Sequence, residues 1–123
     1  MGLNGMLSYV LVILVVLAIA LGQILFKFVA LRLPQGGELT SFLADQAAVA
    51  ALGAALTLYA GATILWIYIL RSLPLSSAYP FVGLTFFIVP VAAAALFGEK
   101  LSVYNILGGA LIVAGIYFCV KAQ

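Results

Sequence analysis

Four apolar runs follow one another in this chain of 123 residues, each long enough to cross a bilayer. They lie at roughly 6–27, 47–70, 78–97 and 103–120. A spanning helix takes about 20 residues, so four of them nearly exhaust the chain and leave no room for a soluble catalytic domain. Only 7% of the residues are charged, where a soluble domain carries roughly a quarter. In hydrocarbon every backbone polar group must be satisfied within its own segment, which makes each run a helix. The expected architecture is therefore an all-α membrane protein, one four-transmembrane-helix bundle over residues 1–123.

Composition removes several function classes. The chain has no histidine and one cysteine, Cys119, so neither a zinc-type ligand set nor an internal disulfide can form. No cofactor or metal is expected, and no nucleophile–base pair for an intrinsic enzyme. Five basic and three acidic residues are too few for a nucleic-acid surface. Cys119 stands in an apolar run and reads as a small buried hydrophobe.

The first run ends at Lys27. Ala18-Ile19-Ala20 has the small-x-small look of a cleavage site, but no basic residue precedes the run, so a retained helix is expected. Residues 31–46, with Pro34, Gly36 and Gly37, read as the one real loop. The second run has no charge, closes on Arg71, and carries Trp66 and Tyr68 near that boundary, as interfacial aromatics tend to be. Gly98-Glu99-Lys100 stops the third run and Lys121 the fourth. With four spans, Arg71 and Lys121 share one side of the membrane and Arg32, Lys100 and Lys27 the other. That balance hardly selects an orientation.

Helices in lipid associate through close packing at small residues. Gly108 and Gly115 stand seven apart on one face of the last helix, with Gly109 beside them. They read as a dimer contact, with packing inside the monomer as the alternative. Ala92 to Ala95 carry the same ambiguity.

Polar groups at membrane depth are functional candidates. Gln23 and Lys27, four apart, share one side of the first helix, and Gly22 leaves that surface open. They read as contacts for an anionic ligand, or Lys27 simply snorkels from the helix end. Glu99 is expected to pair with Lys27 or Arg32, as a charge partner or gate, or else to be solvated. No acidic residue falls inside a span, although proton-coupled exporters generally place a titratable group on the path. In "LPLSSAYPFVGLTFFIVP", Leu73 to Pro90, Ser76 or Ser77 can cap the third helix and Pro80 fits its first turn. The free N–H groups there favour anions. Pro90 removes a hydrogen bond to the Phe86 carbonyl and predicts a kink, with Thr85 or a neighbouring helix satisfying the freed group.

Four motifs, "LGQILFKF", "LPLSSAYP", "FGEKLS" and "GGALIVAGI", occur in this order across nearly the whole chain. Together they resemble the drug/metabolite transporter superfamily, in its small multidrug resistance and EamA-like forms. That resemblance implies four helices per subunit, a bacterial inner-membrane location, and dimers paired through the fourth helix at Gly108 and Gly115. Drug-exporting members hold a glutamate where Ile19 stands and a tryptophan where Val82 stands. Gln23, Lys27, Ala78-Tyr79-Pro80 and Glu99 look more like the small subunits that flip undecaprenyl-phosphate-linked aminoarabinose for lipid A modification. The resemblance thus implies a flippase for a polyprenyl-phosphate-linked sugar or similar anionic lipid, paired with itself or a sibling. Gln23, Lys27, Tyr79 and Pro80 would be its substrate contacts. An exporter of small polar or cationic metabolites, and a non-transporting subunit of a membrane enzyme, are the alternatives.

Overall fold

The computed structural model describes residues 4–122. Four of its helical segments are long and apolar enough to cross a membrane, and no strand occurs among the described residues. Helix α1, Gly5–Arg32, has 28 residues, about 42 Å at 1.5 Å per residue, so it outreaches the ~30 Å hydrocarbon core. It stops at Leu33, ahead of Pro34, whose ring disfavours helix in the residue before it. Helix α3, Gln46–Ile69, returns across the bilayer. The third crossing is built in three pieces: α4 (Leu75–Ala78), a 3-10 segment (Tyr79–Leu84) and α5 (Thr85–Phe97). Helix α6, Val103–Lys121, completes the bundle.

Helix α1 is the hub, packing on α3 most extensively and also on the 3-10 segment and α5. The buried side of α3 is a stripe of alanines, Ala48, Ala51, Ala55 and Ala62, ending on Ile69. Small residues let two backbones approach closely, the main source of helix association where lipid tails are as apolar as leucine. The densest cluster joins Val12, Val15 and Val16 of α1 to Ala62, Ile69 and Ala78. Tyr9 and Phe81, with ring centroids 5.5 Å apart, tie α1 to the 3-10 segment.

Several local expectations are corrected. The 31–46 stretch contains a six-residue helix, α2, Leu39–Ala44. Ser76 and Ser77 are not caps: Pro74 takes that position and both serines lie inside the first turn, Ser77 buried. The backbone leaves α geometry upstream of Pro90, along Tyr79–Leu84, while α5 runs through the proline. The Thr85 hydroxyl donates to the Val82 carbonyl at 2.7 Å, not to that of Phe86. A Cβ on Gly83 would come within 3.2 Å of Ile112 Cγ2, so the 3-10 segment lies close against α6. Cys119 is exposed, because α6 is peripheral and buries only Gly109 and Ile116. Ser102 and Asn105 cap α6 reciprocally, each side chain meeting the other's backbone N–H.

The glycines of α6 separate into two roles. A Cβ on Gly109 would fall 2.3 Å from Phe87 Cδ2, so this residue belongs to packing within the chain. Gly108 and Gly115 have nothing within 4 Å of that position. Gly109→Ala should therefore lower thermal stability by about 1 kcal/mol through overpacking. Gly108→Ala and Gly115→Ala should not lower the unfolding temperature, since the space is open and alanine gains about 1 kcal/mol of helix propensity, and should alter association on size-exclusion chromatography.

Candidate functional site

One face of α1, read every fourth residue, carries Val15, Ile19, Gln23 and Lys27, a line about 18 Å long. The third span runs alongside it in the same direction, from Leu75 to Phe97. Two cavities that share Ile19 form a cleft along them, the first of them also walled by α3. One is a cavity of about 200 Å³ bordered by Ile19, Tyr59, Thr63, Trp66, Tyr79 and Val82. The other, of about 300 Å³, is bordered by Ile19, Gln23, Thr85, Phe86, Val89 and Pro90. Pro90 thus sits across the cleft from Gln23.

Lys27 closes the end of this line. Its Nζ lies 3.1 Å from Glu99 Oε1, and both side chains are close to half exposed. Glu99 reaches it because Gly98 ends α5 in the left-handed conformation, φ 67°, which glycine adopts without steric cost. The pair fastens the end of α1 to the end of the third span. Lys27 therefore does not merely extend into water, and Glu99 selects it over Arg32.

Arg32 is engaged elsewhere. Its guanidinium donates to both carboxylate oxygens of Asp45, at 3.2 and 3.1 Å, and lies 4.9 Å from the Phe28 ring centroid. Asp45 also accepts from the Ala48 N–H and so caps α3. The Ala48 N–H, followed by the Arg32 guanidinium, holds the Asp45 carboxyl below the usual aspartate range. Each of these stabilises the charged form.

Gln23 is held from the side by α3. Its amide nitrogen donates to the Tyr59 hydroxyl, and the Tyr59 ring stacks on Phe26 with centroids 5.3 Å apart. Gly22 does not leave open surface: a Cβ there would lie 2.4 Å from Tyr59 Cε2, so the ring occupies that space. In the sequence Tyr59 is one of several polar residues within the spans, and nothing there marks it as the partner of Gln23. The available signal was the Gly22-Gln23 pair, which marks a close approach without naming the partner. Thr57 and Thr63, also polar within α3, return their hydroxyls to the carbonyls of Gly53 and Tyr59.

Tyr79 and Pro80 stand at the other end. Together with Leu75 and Ser76 they border a separate shallow hollow, and Tyr79 also faces the cavity beside Trp66. Along the span they are about 30 Å from Glu99 at helical rise. One copy of the chain therefore does not gather Lys27 and the Tyr79-Pro80 turn at one place. Among the described residues no three metal-ligating side chains come together.

Chemically, the arrangement offers a cation, an oriented amide one turn deeper, and an apolar and aromatic cleft. A phosphate on a lipid stem is the kind of group such a line can hold. No family model and no solved structure matches the chain. Three relatives are named probable 4-amino-4-deoxy-L-arabinose-phosphoundecaprenol flippase subunit ArnE. One, from Yersinia pseudotuberculosis serotype O:1b, is 37% identical over 112 residues, covering 89% of this chain and 92% of its own. Another, from Sodalis glossinidius, is 34% identical over 110 residues, covering 89% of this chain and 94% of its own. The third, from Aeromonas hydrophila, is 42% identical over 71 residues, 57% of this chain and 56% of its own.

Proposed function

We propose that this chain, which belongs to the ArnE family of 4-amino-4-deoxy-L-arabinose-phosphoundecaprenol flippase subunits, helps carry that lipid-linked amino sugar across the bacterial inner membrane. It moves the head group and does no chemistry on it. Lys27 meets the phosphate, with Gln23 as a second contact one turn deeper along the cleft. Tyr79 borders its far cavity, and Pro80 the hollow next to it. The polyprenyl stem stays in lipid beside the apolar walls of α1 and α5.

The observation that carries this reading is Lys27, paired with Glu99, one turn of α1 beyond Gln23, which borders the cleft. An ammonium and an amide at a span end suit a phosphodiester better than a lipophilic cation. Ile19 borders both parts of the cleft, at the position where the drug-exporting proteins it resembles hold a glutamate. That contrast favours lipid flipping over proton-driven export.

The relatives are called subunits, and the partner that suits this chain is a sibling of the same four-helix build. The open face of α6 around Gly108 and Gly115 supplies the contact. Pairing also resolves the separation of the two ends. In an antiparallel pair, one subunit's Lys27 shares a membrane face with its partner's Tyr79-Pro80 turn.

The test is mass spectrometry of lipids that remain with the protein after gentle extraction from bacterial membranes. The expected result is an undecaprenyl phosphate bearing the amino sugar. Retention of ordinary phospholipids without any polyprenyl phosphate would overturn the reading.

A further inference from the structure

We infer that Glu99 recognises the amine of the head group, so that the Lys27–Glu99 pair selects a lipid carrying both a phosphate and an ammonium. This rests on the substrate reading above. Without ligand, the two side chains neutralise each other at 3.1 Å, and both remain about half exposed, at 44% and 45%. Neither is locked by packing. Glu99 lies beyond the end of α5, in the non-helical stretch between Gly98 and Ser102, and can swing away from α1.

A plain phosphate drawing Lys27 away would leave the Glu99 carboxylate without its partner, a loss on the scale of one partly exposed ion pair. The 4-amino-4-deoxy-arabinose phosphate named in the relatives supplies both charges, on opposite sides of the sugar ring. Inserting it between the two side chains exchanges one ion pair for two: phosphate with Lys27, ammonium with Glu99. Site and head group are each close to neutral, so the complex forms with no net charge change.

Other charges at this end do not replace Glu99. Asp45 is held by Arg32 and by the cap of α3. Lys100, next in sequence, adds positive charge and so attracts the phosphate rather than the amine. Glu38 belongs to the connection ahead of α2, as the residue preceding Leu39.

The experiment is a competition read by native mass spectrometry, with the protein purified alongside any subunit that stays bound. The two probes are a short-chain polyprenyl phosphate bearing 4-amino-4-deoxy-arabinose and the same lipid N-acetylated, which removes the positive charge. Wild type should favour the amine form by about fivefold, the scale of one partly exposed ion pair. Glu99→Gln should bring that ratio close to one while still binding both lipids. Glu99→Asp should keep the preference, and Lys27→Gln should weaken both lipids alike. A wild type that takes both equally, or a Glu99→Gln variant that still prefers the amine, overturns the inference and leaves the substrate reading intact. A wild type that binds neither lipid overturns that reading, and this inference with it.

Discussion

Lys27→Gln should reduce translocation of the lipid-linked amino sugar in reconstituted vesicles by about 10- to 100-fold. That factor corresponds to losing one hydrogen bond to a charged group, about 1.5–3 kcal/mol. Glutamine keeps most of the length of the side chain and removes the charge that a phosphate requires. Helix α1 continues past Lys27 to Arg32, so its helical end does not rest on that charge. Size-exclusion chromatography should therefore show unchanged assembly. Glu99→Gln provides the discriminating control, because it breaks the same interhelical ion pair. If Lys27 served only to fasten α1 to the third span, both variants would be equally impaired. A role in phosphate binding makes the lysine variant much the worse of the two. Wild-type translocation by Lys27→Gln would remove the central claim.

The second large effect is expected at Gly22. Gly22→Leu should destabilise the protein by about 3 kcal/mol, the upper part of the usual overpacking range. The physical reason is the Tyr59 ring, whose Cε2 and Cδ2 would lie 2.4 and 2.9 Å from an added Cβ. The ring cannot retreat without giving up its stack on Phe26 and the hydrogen bond from Gln23. Alanine at the same position is milder, because it regains about 1 kcal/mol of helix propensity over glycine. Combining Gly22→Leu with Tyr59→Ala should restore part of the lost stability, since the double variant removes the obstructing ring. Thermal unfolding in mild detergent measures the set. A Gly22→Leu protein as stable as wild type would show that the ring does not press on α1.

The Gly22–Tyr59 contact illustrates what could be read in advance. Four crossings were legible because a bilayer demands about 20 apolar residues per helix, whatever their order. The grouping of Lys27, Arg32 and Glu99 at one end followed from counting crossings. The partner of Glu99 did not: Arg32 is nearer in sequence to the α1 terminus, yet Asp45 takes it while capping α3. Tyr59 was not legible as the support of Gln23, because the two are 36 residues apart and belong to different crossings.

The third crossing shows the same division. Prolines announced an irregular backbone, and Pro90 was the natural place to expect it. The irregular stretch is Tyr79–Leu84, where the 3-10 segment lies against α6 at Gly83. A proline shows where a hydrogen bond is missing, but close packing of a neighbouring helix decides where the backbone tightens.

The sequence by itself determined the solvent, the number of crossings, which charges share a membrane side and, by likeness, the family. Only the tertiary structure decided which face of each helix turns inward. In water an apolar stripe marks the buried face of a helix. In a bilayer both faces are apolar, so no stripe distinguishes Gly109, pressed on Phe87, from Gly108 beside it, which meets open space. Small residues, a few hydrogen bonds and two ion pairs near the end of α1 set those faces. Their partners come from distant parts of the chain, and only the folded bundle brings them together.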